Sequence, residues 1–138
     1  DEFFAFIDET GLVQKPGTGL RGEARGLLNR KDFAQHLQLA NLGFGQAINT
    51  TPTALASAFS LVANGGVRMR PRLIKSIGGV ETPVEPAGPA VIRKETADEV
   101  LRAMEAVIES NDGTGKHLTI PGYRLGGKTG TAQKLDKG

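Results

Sequence analysis

A lysine, two threonines and three glycines stand close together in GYRLGGKTGTAQK, residues 122–134, and two chemistries compete for them. Gly122, four further residues and then Gly127-Lys128-Thr129 have the spacing of a loop that wraps backbone N–H groups around phosphates. Such a loop needs small interior residues, a strand before it and a helix N-terminus directly after it. Here the interior is Tyr123, Arg124, Leu125 and Gly126, three of them bulky, and Lys128 is followed by Thr129-Gly130-Thr131, which are weak helix formers. No amphipathic helix follows before Gly138, and no apolar strand ending in Asp offers a partner for Mg²⁺. The phosphate reading is therefore set aside. Read instead as a strand from Tyr123 to Lys134, the segment places Tyr123, Leu125, Thr129 and Thr131 on one side and Arg124, Lys128 and Lys134 on the other. Gly126, Gly127 and Gly130 remove side chains where another backbone or a ligand must come close. A strand edge with open N–H and C=O groups, flanked by a cation and hydroxyls, can receive an extended peptide that ends in a carboxylate. Taken alone, Lys128-Thr129-Gly130 is better explained as a glycine-weakened edge strand carrying solvated lysines.

The elements that must position this segment are legible in part. Phe3, Phe4 and Ile7 fall on one face of a helix that runs from the first residues and stops at Gly11. The following KPGTGLRGEARGLL reads as a looping segment in which Glu23 and Arg25 are solvated charges. In TPTALASAFSLVANGG, Thr51 is placed to N-cap, Pro52 takes the first helical position, and Gly65-Gly66 supplies a left-handed stop. Leu55, Ala58, Phe59 and Val62 are the expected buried stripe of that helix. Residues 67–77, VRMRPRLIKSI, predict an edge strand or two short pieces broken at Pro71, and GGVETPVEPAGPA reads as a connection. A second helix is predicted from a capping box that pairs Thr96 with Glu99, with Val100, Leu101, Met104, Val107 and Ile108 as its buried stripe. It ends before the turn Asn111-Asp112-Gly113. There is no internal repeat.

Composition narrows the partners. With 138 residues, 38% hydrophobic and 23% charged, the chain is ordinary globular material of single-domain size. Only 5% of residues are aromatic and the formal net charge is +2, with lysines and arginines scattered, so a nucleic-acid footprint is not expected. The absence of Cys removes disulfides and thiolate metal sites, and His36 and His117 stand in no ligand-spaced cluster, so no metal or other cofactor is expected. The start DEFFAFIDE is acidic and no apolar run reaches the ~18 residues of a membrane span, so any anchor is expected outside these residues.

What lifts Lys128-Thr129-Gly130 above a chance tripeptide is its company. GTGLRGEARGLL, then GFGQAINTTPTALASAFSLVANGG, then DGTGK and IPGYRLGGKTGTAQK follow one another along the chain, and in that order they resemble the penicillin-binding transpeptidases. The pattern is most similar to the class B, monofunctional enzymes of the cell-division type. The resemblance implies an α+β fold, β-lactamase/transpeptidase-like, with helices packed on a mainly antiparallel sheet and present here as an incomplete fragment. It implies a D,D-transpeptidase that crosslinks peptidoglycan stem peptides ending in D-Ala-D-Ala through a serine acyl-enzyme, and that binds β-lactams. Lys128 would supply positive charge near the nucleophile. Thr129, Gly130 and Thr131 would bind substrate, the two threonine hydroxyls holding its terminal carboxylate, and the backbone N–H of Thr131 would be one of two oxyanion donors. The family resemblance also implies a bacterial protein anchored in the cytoplasmic membrane and acting on its outer face, with a polytopic glycosyltransferase and divisome proteins as partners.

Two motifs of that family are missing. The serines are Ser57, Ser60, Ser76 and Ser110, and none has Lys three residues later or Asn two residues later. Ser110-Asn111-Asp112 carries the letters of the second motif in the wrong order, at a position where turn residues are expected anyway. Residues 1–138 are thus expected to be a C-terminal part of a transpeptidase domain, lacking the S-x-x-K and S-x-N portion and the elements beyond K-T-G. The remaining portion could be supplied as another chain. By itself the fragment is expected to be inactive for lack of the nucleophile. A serine β-lactamase or D,D-carboxypeptidase of the same fold, or a non-catalytic peptide-binding module, are the alternatives.

Overall fold

The computed structural model describes residues 2–30 and 36–130. It divides into two compact units, Asp1–Gly26 with Thr50–Leu101, and Leu27–Asn49 with Arg102–Gly138.

In the first unit, helix α1 (Glu2–Thr10) turns Ile7 and Thr10 inward, and the Thr10 hydroxyl donates to the Ile7 carbonyl at 2.7 Å. It ends where sequence places the stop, at Gly11 with φ +79. The glycine-rich stretch that follows is irregular, as expected, yet Glu23 is not a solvated charge. Its carboxylate accepts from the backbone N–H of Gly17 at 3.1 Å and from the N–H and hydroxyl of Thr18. Three donors that the loop would otherwise leave to water are thereby tied to one side chain.

Helix α2 (His36–Gly43), in the second unit, was not foreseen. Helix α3 (Pro52–Ala63) begins and ends as its sequence predicts: Thr51 Oγ1 accepts from Ala54 N–H at 3.1 Å, and Gly65 and Gly66 carry φ +65 and +92. Its buried line is a correction. Ala54 and Leu61 are buried whereas Leu55 and Phe59 are 42% and 43% exposed, so the helix is rotated by about one position from the expected stripe. The small Ala54 is what lets this face approach its neighbours closely, and hydrophobicity alone ranks it below Leu and Phe.

Strand β1 (Val67–Met69), the first of two short pieces, is followed by a hairpin of β2 (Ser76–Ile77) and β3 (Val80–Glu81), turning through Gly78-Gly79 with φ +57 and +84. The proline-rich stretch expected to be a mere connection contains β4 (Pro86–Ala90), which pairs antiparallel with β1. Prolines are tolerated because, among the described residues, β4 is paired on one side only. All described pairings are antiparallel and helices accompany them, which is the α+β class expected.

Helix α4 (Lys94–Glu109) gives its first half to the first unit and its second half to the other. It starts two residues before Thr96, so that threonine lies inside the first turn and the predicted capping box does not define the start. A Lys94–Asp98 pair at 2.6 Å lies along the first turn instead. Ala97 and Ile108 are buried, Leu101 and Met104 half-buried, and Val100 lies outside the stripe at 38% exposure. In the second unit, the predicted turn brings Gly113 against the end of α4. A Cβ there would stand 2.4 Å from the Val107 carbonyl oxygen, and a short 3-10 helix, Lys116–Leu118, follows.

Candidate functional site

The site is built on the second half of α4. After the 3-10 helix the chain turns at Gly122 with φ +84, and residues 124–127 lie against the second half of α4. The strand expected from Tyr123 to Lys134 is not formed over its described part, residues 123–130, and residues 131–138, with Thr131 and Lys134, lie outside the described residues. A strand needs a ladder partner, and among the described residues no strand pairs with this segment. Its N–H groups turn to α4: Gly127 donates to the Met104 carbonyl at 3.0 Å and Leu125 to Glu109 Oε1 at 3.3 Å.

Gly126 and Gly127 do what is expected of them, with a helix as the close neighbour, and Gly130 does not. A Cβ on Gly126 would meet Met104 Cβ at 3.3 Å, and one on Gly127 would meet Ile108 Cδ1 at 3.3 Å. Gly130 faces open space. Lys128, Thr129 and Gly130 are all exposed, and the Lys128 ammonium curls onto its neighbour, donating to the Thr129 carbonyl at 2.8 Å and its hydroxyl at 3.3 Å. The structure thus brings together Lys128, Thr129 and Gly130 of the predicted site, as a surface rim of one cation, one hydroxyl and an uncrowded backbone. That rim can bind a carboxylate; it holds no nucleophile. Sequence reasoning missed Glu105 and Glu109, whose carboxylates hold the approach to Lys128. Their one legible signal was their four-residue spacing on one helix face.

Three of the four serines give no substitute. Ser57 Oγ donates to the Met69 carbonyl at 3.3 Å and Ser60 Oγ to the Ser57 carbonyl at 2.7 Å, so both hydroxyl protons are spent on backbone. Ser110 Oγ accepts from Asp112 N–H at 3.4 Å, which is the turn contact expected of it. Among the described residues no three His, Cys, Asp or Glu side chains converge on a metal position. A groove lined by Thr18, Leu20, Arg70, Leu73, Thr82 and Glu85 opens in the first unit, without a paired nucleophile and base.

Comparison with known proteins settles the family. The family model described as the penicillin binding protein transpeptidase domain matches residues 1–138. The chain belongs to this family. It is 35% identical over 145 residues to the penicillin-binding protein PbpB of Mycolicibacterium smegmatis, covering 99% of this chain and 22% of that one. It is 36% identical over 132 residues to the probable peptidoglycan D,D-transpeptidase FtsI of Caulobacter vibrioides, covering 95% of this chain and 21% of the relative. Among solved structures, penicillin binding protein 3 of Mycobacterium tuberculosis complexed with ampicillin superimposes with a TM-score of 0.83 at 33% identity, over 98% of this chain and 32% of that chain. The penicillin-binding fold expected from the motifs is therefore the one found, and the chain spans about a fifth of the length of the curated relatives it matches.

Proposed function

We propose that these residues are the K-T-G-bearing part of a peptidoglycan D,D-transpeptidase of the cell-division type. The observation that carries the reading is Lys128-Thr129-Gly130 in a chain whose whole length matches the transpeptidase family, beside relatives named for that activity.

In the reaction so assigned, a serine hydroxyl contributed by an S-x-x-K portion outside these residues attacks the carbonyl carbon of the penultimate D-Ala. Its proton passes to a neighbouring base and on to the departing amine as the bond to the terminal D-Ala breaks. The amino group of a second stem peptide then attacks the ester and releases the serine, leaving a crosslink. Lys128 contributes positive charge that favours the deprotonated serine. Thr129 and Thr131 hold the terminal carboxylate with their hydroxyls, and the Thr131 N–H donates to the developing oxyanion. A β-lactam enters by the same route and stays as the ester. Among the described residues no helix is long and apolar enough to cross a membrane; the reading places the parent protein on the outer face of a bacterial cytoplasmic membrane through another segment, with a glycosyltransferase and division proteins as partners.

The test is intact-mass spectrometry of the full-length parent and of this 138-residue chain after incubation with a penicillin. An adduct on the parent, at a serine other than Ser57, Ser60, Ser76 or Ser110, and none on the chain alone, is the expected result. In the parent, Lys128→Ala is expected to slow acylation by on the order of 10²–10³, the scale set by losing one preorganised charge or donor. A parent that takes up no penicillin, or an adduct on one of the four serines, sinks the assignment.

A further inference from the structure

Four glycines crowd residues 104–108 of α4. A Cβ on Gly113 would stand 2.4 Å from the Val107 carbonyl oxygen, one on Gly115 3.1 Å from Ile108 Cγ1, one on Gly126 3.3 Å from Met104 Cβ, and one on Gly127 3.3 Å from Ile108 Cδ1. Ile108 is the side chain that two passes of the chain share. The turn meets its Cγ1 at Gly115, and the segment leading to Lys128 meets its Cδ1 at Gly127. It is 5% exposed, so it has little room to give way to either. Two hydrogen bonds hold the same segment down on the helix, from Gly127 N–H to the Met104 carbonyl at 3.0 Å and from Leu125 N–H to Glu109 Oε1 at 3.3 Å. These donors belong to alternate residues. Along an extended chain such N–H groups share one edge, and those of Gly126 and Lys128 fall to the opposite edge, where a strand of the full-length parent can pair without displacing the helix contacts. Pairing then sets the register of the segment, and contact with α4 sets its height. An error of ~1 Å at a reacting centre is enough to cost rate, and a methyl group more or less beneath Gly127 moves Lys128 by an appreciable part of that.

We propose that Ile108 is a positioning residue for acyl transfer: seated against Gly115 and Gly127, its side chain sets how far the Lys128-Thr129-Gly130 segment stands from α4. The proposal rests on the transpeptidase reading above, and its test separates the two. In the full-length parent, stopped-flow fluorescence with a fluorescent penicillin yields the dissociation constant of the first complex and the acylation rate constant separately. Gly127→Ala, which lifts the segment off Ile108, is expected to lower the rate constant about fivefold while the dissociation constant changes by less than about threefold. Ile108→Val, which takes away Cδ1 alone, is expected to lower it about threefold as the segment settles onto the helix. Together the two changes exchange one methyl group for another in the same space, and the double variant is expected to return to within about twofold of the wild-type rate constant. Two losses that cancel in this way are not given by residues that act independently. Wild-type rate constants in both single variants overturn the proposal while leaving the transpeptidase reading intact. So does a double variant in which the two losses multiply, a loss that falls on the dissociation constant, or one that follows only a lowered melting temperature. Should Gly127→Ala fail to fold, Ile108→Val decides alone. An unaltered parent that shows no acylation overturns both.

Discussion

At the scale of single residues, Glu23 shows how much one carboxylate can organise. It lies in a stretch of glycines whose backbone has few repeating contacts of its own, and it gathers the Thr18 hydroxyl and the N–H groups of Thr18 and Gly17. The hydrogen bond from the Thr18 side chain, seconded by those from the two backbone N–H groups and by the nearby Lys15 charge, outweighs the opposing effect of burial and holds its carboxyl below the ordinary value of 4.5. A carboxyl with a lowered folded-state pKa contributes stability that is fully present above its unfolded value and is lost as pH falls through the folded one. The loop is therefore expected to loosen only below about pH 4.5, and the Glu23 carboxyl carbon, followed by NMR, is expected to titrate below the ordinary value of 4.5. Titration at or above that value contradicts the account. Glu23→Gln removes this acid transition and leaves the rest of the pH profile unchanged.

At the scale of elements, the caps and stops separate what is encoded locally from what packing decides. Thr51 accepts from Ala54 N–H, so Thr51→Ala is expected to cost about 1 kcal/mol in thermal or denaturant unfolding. Thr96 has the same sequence signature but lies inside its helix, so Thr96→Ala is expected to stay within about 0.5 kcal/mol, and a cost equal to that at Thr51 would show that it caps after all. Gly66 carries φ +92 and a Cβ there would stand 2.0 Å from the Ile92 carbonyl oxygen; with backbone strain and overlap together, Gly66→Ala is expected to cost about 3 kcal/mol. Helix α3 was readable because Thr51, Pro52 and the Gly65-Gly66 pair act within one turn of their own positions. Strand β4 was not, because Pro86 and Pro89 argue against a strand until one knows that, among the described residues, β1 alone pairs with it. The β2–β3 hairpin had its signal in Gly78-Gly79, yet the flanking runs of two residues were too short to show alternation. Within the site, the identities of Lys128, Thr129 and Gly130 were legible as a motif. Their conformation was not, because a motif names chemistry and the strand it implied depends on partners that the segment's own letters do not contain.

At the scale of the whole molecule, the question is what each unit can hold together by its own burial. The buried apolar side chains of the first unit are Ile7, Val13, Ala54, Leu61 and Ala97, and those of the second are Leu42 and Ile108, all small or medium, and among the described residues no large side chain is fully enclosed. Against these stand exposed Leu73, Ile74, Ile77, Val80 and Val84 on and around the β2–β3 hairpin, and Leu55 and Phe59 on α3. A two-stranded hairpin without a buried face is marginal in water, and burial at ~25 cal/mol per Å² leaves little margin once chain entropy is opposed. The 138-residue chain by itself is therefore expected to bind the dye ANS, to associate as its concentration rises, and to melt over a broad range. Hydrogen exchange is expected to be fast at residues 76–81 and slowest in α3 and α4. The solved relative that superimposes on this chain is about three times as long, and the same residues in the full-length parent are expected to lose dye binding and melt in one sharp transition as those apolar faces are covered. A sharp transition and no dye binding from the 138 residues alone would mean that the two small cores suffice, and that the exposed faces are adapted to water as they stand.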